Sequence, residues 1–336
     1  MGAVSRSDGS ALRAGSDATK PRPHEQIRDY LLRSTPSPEP WRVDIETLRK
    51  HTRERVLSVR GNLTPVACVE EVDAGGVRGR LYRPTGAEGD VLVWAHGGGW
   101  MHGDLDCCEG VARALAVRAD CAVLAVDYRL APEHPFPAGL DDVWTATEWA
   151  RSEFARLAVG GDSSGGNLAA AVALKASGLG LALVAQLLVY PVLDSTEDTG
   201  YKQMFEQRYR SFAGENGYGA AAAERLKYIW QTYVPDPELR VSPLASPLHA
   251  STFRGVAPAI VISAEHDFLR GEGEEYGKRL SGERVPVEAH TYAGQIHGFF
   301  EMLGVLDDAR HAVGVAGDAL RRAFVQHRQR FQGGRR

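Results

Sequence analysis

The sequence predicts an α/β fold with a mostly parallel eight-stranded sheet flanked by helices. Short apolar runs alternate with helical stretches along most of the chain, which is typical of repeated βα units. The apolar runs do not alternate with polar residues, so both faces of the sheet are expected to be buried. With 336 residues, of which 43% are hydrophobic, the chain is large enough to bury such a core.

The predicted strands and helices follow one another in a regular order. A Gly75-Gly76 turn signal separates the first two strands. Strands are predicted over residues 66–72, 77–82, 91–95, 122–126, 157–159, 186–190, 259–263 and 287–291. Helices are predicted over residues 108–118, 140–152, 164–176, 272–280 and 305–324. This order favours right-handed crossovers between parallel strands.

Other segments lie outside this alternation. Residues 24–33 and 43–59 have the pattern of amphipathic helices, with a proline-rich break between them. Residues 194–241 are polar and aromatic, and we expect them to form an insertion over the sheet. Residues 1–23, rich in Ser, Gly, Ala and Asp, and residues 329–336 are expected to be disordered tails.

Composition excludes several classes of function. The net charge is -4 and no long basic run occurs, so we expect no nucleic-acid partner. No apolar run approaches the length of a membrane span, and the first residues lack the core of a secretory signal. The four cysteines show no metal-ligand spacing, so we expect reduced thiols, no metal and a cytoplasmic location without membrane attachment.

The strongest local motif is Gly161-Asp162-Ser163-Ser164-Gly165-Gly166. It lies between a predicted strand and a predicted helix, which is the setting of a nucleophile elbow with Ser163 as nucleophile. Glycines are needed on both sides because a side chain there would meet the neighbouring strand and helix. A glycine-rich turn or a phosphate loop is the alternative, but the lysine of a P-loop and the spacing of a dinucleotide fingerprint are missing.

A second motif, His96-Gly97-Gly98-Gly99-Trp100, follows the predicted strand 91–95. Consecutive glycines leave backbone N–H groups approachable, as an oxyanion hole requires. We expect the N–H groups of Gly97 and Gly98 to be the main donors and that of Ser164 to be a third. His96 is expected to orient the loop. A flexible turn is the alternative, although the two motifs together are more specific than either alone.

A serine nucleophile needs a base, which in this type of fold follows the serine in the chain. His297 lies in a loop setting just after the last predicted strand, with a glycine after it. It is favoured over the other histidines that follow the serine, which are His249, His266, His290 and His311.

The third member of a triad orients the histidine and stabilises its charged form. Asp267 follows the strand 259–263, where such an acid would be placed. Glu265 is its competitor two residues away. The alternative is that both are solvated loop acids.

These motifs resemble the hormone-sensitive-lipase-like family of α/β-hydrolases, also called the bacterial family IV esterases. The resemblance extends from about residue 77 to about residue 324. It rests on the glycine motif, the elbow, and three further segments, which are Asp127-Tyr128-Arg129-Leu130-Ala131-Pro132-Glu133-His134-Pro135-Phe136-Pro137-Ala138, Pro243-Leu244-Ala245-Ser246-Pro247 and Gly294-Gln295-Ile296-His297-Gly298-Phe299. Ser164 stands where the family more usually has alanine, and Asp267-Phe268-Leu269-Arg270-Gly271 stands where it has Asp-Pro-Leu followed by an acid.

The resemblance implies a triad of Ser163, Asp267 and His297 and a helical cap. The cap would comprise the helices of residues 24–60 and part of the insertion at about 194–241, over a catalytic domain of residues 61–328. Candidates to line the acyl and alcohol pockets, with plain packing as the alternative, are Trp100, Phe205, Tyr209, Tyr228 and Trp230.

The leading hypothesis is a carboxylesterase that acts on small to medium acyl esters through an acyl-enzyme, without metal or organic cofactor. A second hypothesis keeps the triad in a deacetylase, amidase, acyltransferase or cyclase of a small-molecule pathway. A third, against which an intact triad argues, is a non-catalytic ligand receptor. The expected partner is a small-molecule ester, and homodimerisation is expected from the resemblance alone.

Overall fold

Eight strands form a single sheet in the order β1-β2-β4-β3-β5-β6-β7-β8. The computed structural model describes residues 23–35, 37–86, 89–197, 199, 200, 202 and 222–333. The strands are β1 (Cys68–Asp73), β2 (Arg78–Arg83), β3 (Asp90–Ala95), β4 (Ala122–Val126), β5 (Arg156–Asp162), β6 (Gln186–Val189), β7 (Ala259–His266) and β8 (Val287–Ile296). Strand β2 pairs antiparallel with β1 and β4, and every other pairing is parallel.

Helices cover both faces of this sheet. They are α1 (Glu25–Arg33), α2 (Ile45–Val59), α3 (Leu105–Ala119), α4 (Ala138–Glu153), α5 (Ser164–Gly178), α6 (Ala222–Tyr233), α7 (Arg270–Gly282) and α8 (Asp307–Gly333). Apolar residues of α4, α5 and α7 share one buried cluster, and those of α1, α3 and α8 share another. Strand β3 contributes Val91 and Val93 to the first cluster and Leu92 and Trp94 to the second. The predicted fold class is confirmed.

Element boundaries differ from the predicted ones where a specific contact overrides the local pattern. Strand β5 continues through two glycines to Asp162, because Gly160 and Gly161 pair in register with Trp94 and Ala95 of β3. Helix α3 begins three residues earlier than predicted because Asp104 caps it, accepting the N–H of Cys107 at 2.8 Å. The predicted tail from residue 329 is wrong in its first part, since α8 continues to Gly333.

Helix α2 is fastened to the sheet domain by Arg49. Its guanidinium donates to both carboxylate oxygens of Glu133, and also to the backbone carbonyls of Met101 at 2.9 Å and Ala131 at 3.3 Å. A small apolar cluster of Leu48, Met101 and Ala131 lies beside it, with Tyr228 and Ile229 of α6 packed against it. Helices α2 and α6 therefore meet over the segment that follows β3, while the predicted domain boundaries stay a prediction.

The length and apolar content of the described helices decide whether one of them could span a membrane. Among residues that the structure describes, no helix combines the length and apolar character needed to cross a bilayer.

Candidate active site

Ser163 occupies the tight turn between the end of β5 and the start of α5. Its backbone has φ 54° and ψ -117°, a conformation that costs energy for any residue other than glycine. Hydrogen bonds on both sides hold it there. Its N–H donates to the carbonyl of Val189 at 2.8 Å, and its carbonyl accepts from Asn167 at 3.1 Å and Val192 at 3.3 Å. This is the geometry of a nucleophile elbow.

Gly161 and Gly165 allow this turn because the backbone is crowded on both sides. A Cβ atom on Gly165 would overlap the carbonyl oxygen of Ala95 in β3. A Cβ atom on Gly161 would overlap the backbone of Gly165 itself. The close approach of β3, β5 and α5 therefore explains why the sequence has glycine on both sides of Ser163.

The structure brings Ser163, His297 and Asp267 together in one hydrogen-bonded chain. Nε2 of His297 lies 2.9 Å from Oγ of Ser163, and Nδ1 of His297 lies 2.7 Å from Oδ2 of Asp267. The Asp267 carboxylate is 1% exposed, and its Oδ1 accepts the N–H of Leu269 at 2.8 Å. Two contacts thus fix the carboxylate, and the carboxylate in turn orients the imidazole toward Ser163.

Glu265, the competing acid in the sequence, points elsewhere. Its carboxylate accepts the backbone N–H of Gly294 at 2.8 Å, which ties the end of β7 to β8. Asp267 is therefore the acid that contacts His297 in this part of the chain. The sequence favoured Asp267 and left Glu265 as its competitor, because the two lie two residues apart at the same strand end.

Three of the other histidines that follow Ser163 contact different partners. His249 contacts Asp194 at 2.9 Å, His290 contacts Glu288 at 3.0 Å and His311 contacts Tyr292 at 3.0 Å. His266 is buried at the end of β7. His297 is thus the candidate base that reaches the serine.

The glycine loop after β3 differs from the predicted arrangement. The N–H of Gly97 donates to Oδ1 of Asp162 at 3.0 Å, so the expectation that it would be an oxyanion donor is wrong for this structure. Gly98 and Gly99 have φ 124° and 58°. In the described part of the chain, the N–H groups of Gly98, Gly99 and Ser164 have no hydrogen-bond acceptor within the protein.

Sequence reasoning named Gly97 and Gly98 but not Gly99, whose N–H has no acceptor in the part of the chain that the structure describes. No local signal distinguishes three consecutive glycines, since the distinction comes from the contact with Asp162. That aspartate lies within the elbow motif, directly before Ser163, and is 4% exposed. Asp162 thus joins the elbow to the glycine loop.

The Asp162 carboxyl lies in a strongly shifted electrostatic environment. Burial raises its pKa well above the ordinary value, and the nearby Glu301 carboxyl raises the pKa further. Burial also raises the pKa of Glu301, opposed by the positive charge of Arg55. Both carboxyl groups therefore hold a proton to higher pH than free side chains, which limits negative charge beside the glycine loop.

His96 precedes the three glycines and contacts both the first of them and Tyr128. Its Nδ1 lies 2.8 Å from the carbonyl of Gly97, and its ring stacks on Tyr128 with centroids 4.4 Å apart. The Tyr128 hydroxyl donates to the carbonyl of His96 at 2.8 Å. These contacts fit the predicted role of His96 in orienting the loop.

Aromatic rings surround the imidazole of His297. The Tyr190 ring lies 4.7 Å from it and the Phe268 ring 6.3 Å from it, both measured between centroids. Tyr190 was missed by sequence reasoning, although its position directly after β6 places it at the same sheet edge as the serine. The His297 side chain is still 25% exposed, so these rings cover part of the imidazole and leave part of it open.

The predicted pocket residues have different environments. Trp100 is 1% exposed and stacks on Tyr233 with centroids 4.0 Å apart, which is core packing. Tyr228 lies 6.0 Å from Trp41 between ring centroids, and Trp230 lines a cavity of about 190 Å³ next to Phe268. The remaining candidates, Phe205 and Tyr209, lie outside the described residues.

A second, larger cavity of about 690 Å³ lies between α1 and α2, lined among others by Tyr30, Ser58 and Val59. Within the described ranges, no cluster of three or more His, Cys, Asp or Glu side chains could hold a metal ion.

Comparisons with known proteins show the family of the chain. A profile of the family described as "alpha/beta hydrolase fold" matches residues 92–301. Among curated proteins, Esterase LipI of Mycobacterium tuberculosis is 32% identical over 302 residues, which cover 84% of this chain and 91% of that protein. Carboxylesterase NlhH of the same species is 35% identical over 290 residues, which cover 81% of this chain and 88% of that protein.

Comparison with solved structures also finds an esterase. A hyperthermophilic esterase from the archaeon Pyrobaculum calidifontis superimposes with a TM-score of 0.78 and 31% sequence identity. The match covers 89% of this chain and 98% of that one.

Proposed function

The chain belongs to the hormone-sensitive-lipase-like family of α/β-hydrolases, and on that premise we propose that it is a serine carboxylesterase for small to medium acyl esters. The observation that carries the proposal is the hydrogen-bonded chain from Ser163 through His297 to Asp267. The names of the relatives, esterase and carboxylesterase, support the same reaction.

In the proposed reaction, His297 takes the proton of Ser163 while the serine oxygen attacks the ester carbonyl carbon. Asp267 keeps the other imidazole N–H directed at itself and stabilises the imidazolium that forms. The imidazolium then protonates the leaving alcohol oxygen, and the C–O bond breaks to give an acyl-enzyme. Water, deprotonated by His297, releases the carboxylic acid and restores the serine.

The carbonyl oxygen becomes an oxyanion in both halves of the reaction and needs aligned donors. We assign this role to the N–H groups of Gly98, Gly99 and Ser164, which bond to no acceptor among the described residues. The start of α5 directly after the serine adds its helix dipole. The Gly97 N–H instead fixes the loop through Asp162.

Of the alternatives, the ligand receptor is the least supported because His297 contacts Ser163 as a base would. Acyl transfer, deacetylation, amide cleavage and cyclisation share the acyl-enzyme, and no contact in the site favours one of them over hydrolysis. A cytoplasmic location, a homodimeric state and the absence of nucleic-acid partners stay predictions.

The test is hydrolysis of p-nitrophenyl esters from C2 to C12 near pH 8 by the wild type, Ser163→Ala and Ser164→Ala. Ser163→Ala is expected to lose about 10⁴-fold or more in kcat. Ser164→Ala is the matched control, because it removes a neighbouring hydroxyl but keeps the backbone N–H. A wild type inert on every ester, or a Ser163→Ala variant that retains the rate, would overturn the proposal.

A further inference from the structure

The glycine loop closes in a hydrogen-bonded turn behind the proposed oxyanion donors. The Gly98 carbonyl accepts the N–H groups of Met101 and His102, each at 3.1 Å. The peptide between Gly98 and Gly99 is trans, so its N–H, which belongs to Gly99, points in the direction opposite to that carbonyl. The turn therefore sets the direction of the Gly99 N–H, which has no acceptor among the described residues.

A second peptide continues this chain of hydrogen bonds away from the site. The peptide between Met101 and His102 is also trans, so the His102 N–H and the Met101 carbonyl point in opposite directions. The N–H donates to Gly98, and the carbonyl accepts from Nε of Arg49 at 2.9 Å. Two peptide dipoles are thus aligned head to tail between the Arg49 guanidinium and the Gly99 N–H. In such a chain, each hydrogen bond polarises the next one.

The turn needs support because its backbone is strained. Trp100, which lies within it, has φ 58°, a left-handed conformation that costs energy for a residue with a side chain. The Trp100 carbonyl accepts the N–H of Ala131 at 2.8 Å, and the Ala131 carbonyl accepts from the Arg49 guanidinium at 3.3 Å. Arg49 therefore holds the turn directly at Met101 and, through Ala131, at Trp100.

An acid on the other side holds the guanidinium in place. The two outer nitrogens of Arg49 donate to the two carboxylate oxygens of Glu133, at 2.8 and 2.7 Å, and Nε is left for the Met101 carbonyl. A two-point contact of this kind fixes the plane of a guanidinium. Because Arg49 belongs to α2, the docking of that helix and the geometry of the glycine loop are coupled.

We propose that Arg49 is a positioning residue for the reaction, which directs the Gly99 N–H at the oxyanion through the peptide between Met101 and His102. The proposal rests on the esterase function proposed above. Arg49 acts here through the backbone and not by contact with the substrate. An aligned donor stabilises the charged oxygen of the transition state more than the neutral carbonyl of the bound ester. The loss of Arg49 is therefore expected to lower kcat and to leave KM nearly unchanged.

The experiment compares Arg49→Met, Arg49→Lys and Arg60→Met with the wild type. Arg60, the residue that ends α2, supplies the matched control. It donates to the backbone carbonyl of Asp106 at 3.1 Å and pairs with Glu109 at 3.5 Å. These are the same kinds of contact that Arg49 makes, but the partners belong to α3 and not to the glycine loop.

The first measurements are kcat and KM for p-nitrophenyl acetate, together with the unfolding temperature. We expect Arg49→Met to lower kcat about tenfold, less than the loss of a whole donor, with KM within about twofold of the wild-type value. Arg49→Lys keeps the charge and one donor for the Met101 carbonyl, so its loss in kcat should be only about threefold. Arg60→Met should keep the wild-type kcat, even if its unfolding temperature falls as much as that of Arg49→Met.

Inhibition by a trifluoromethyl ketone reports on the oxyanion alone. Ser163 adds to the carbonyl carbon of the inhibitor to give a tetrahedral hemiketal, whose oxygen carries the negative charge while the serine proton passes to His297. The backbone donors stabilise that oxygen as they stabilise the oxyanion of the reaction. In both Arg49 variants, the inhibition constant is therefore expected to rise by about the factor by which kcat falls. In Arg60→Met it should not change.

Several results would overturn the inference. It fails if Arg49→Met keeps the wild-type kcat or raises KM alone. It fails if Arg60→Met lowers kcat as strongly, because docking of α2 in general would then explain the loss, or if kcat falls while the inhibition constant stays the same. Arg49→Lys decides these questions if Arg49→Met does not fold. A wild type that hydrolyses no ester, or a Ser163→Ala variant as active as the wild type, overturns the esterase proposal and this inference together.

Discussion

Replacing Asp267 by asparagine is expected to lower kcat about 10⁴-fold, which corresponds to about 5.5 kcal/mol of transition-state stabilisation. The size of the effect follows from the two contacts of the carboxylate. Oδ1 accepts the N–H of Leu269 at 2.8 Å, and Oδ2 accepts from Nδ1 of His297 at 2.7 Å. An asparagine has one acceptor oxygen for these two donors.

If the asparagine oxygen stays on the Leu269 N–H, its NH₂ group faces Nδ1 of His297. The imidazole then carries its proton on Nε2, the atom that must accept the proton of Ser163. The serine thus loses its base although the packing is preserved. The variant should unfold at nearly the temperature of the wild type and fail only in catalysis.

The matched control is Glu265→Gln. The glutamine oxygen can still accept the N–H of Gly294, the group to which the Glu265 carboxylate is bonded. We expect kcat for p-nitrophenyl acetate close to the wild-type value in Glu265→Gln, measured near pH 8 beside Asp267→Asn. A severe loss in Glu265→Gln together with near-normal activity in Asp267→Asn would refute the assignment of the acid.

Three further predictions address the elbow and the buried charges. Asp162→Ala frees the Gly97 N–H and loosens the glycine loop. We expect it to lower kcat about 10²-fold with little change in KM. Asp162→Asn should restore most of the rate. Gly165→Ala is expected to cost about 3 kcal/mol or more of unfolding free energy, because its Cβ would overlap a backbone carbonyl of β3. Burial raises the pKa of Glu272 from 4.5 to about 7. The shift contributes on the order of 3 kcal/mol to the free energy of unfolding below about pH 4.5, and this contribution is lost as the pH rises toward 7.

For each of these three predictions, one result would contradict it or one control variant checks it. Equal losses in the alanine and asparagine variants of Asp162 would show that Gly97 does not depend on that acceptor. For Gly165 the control is Gly178→Ala at the end of α5, where a Cβ would meet nothing within 4 Å and should stabilise by about 0.5–1 kcal/mol. For Glu272, urea unfolding from pH 4.5 to 8 should show a decline that Glu272→Gln removes; an unchanged slope would refute the shift.

Local features made the fold and the elbow predictable. Apolar runs of β-strand length and the glycines around Ser163 reflect constraints that act within a few residues, namely burial on both faces and backbone crowding. His297 was also predictable, because its chain order after the serine and its place past a strand end limit the choice. The predicted helix ends were less accurate, because a single capping residue such as Asp104 can determine where a helix begins.

Contacts between residues far apart in the sequence decided the features that local patterns did not predict. The sequence determined by itself that the chain has a parallel sheet, a serine elbow and a glycine loop, since each depends on neighbouring residues. Only the tertiary structure decided that Asp267 and not Glu265 meets His297, and that Asp162 takes the N–H of Gly97. The physical reason is that a hydrogen bond such as that between His297 and Ser163 joins residues 134 positions apart, and its partners are selected by how the strands pack and not by the order of the residues.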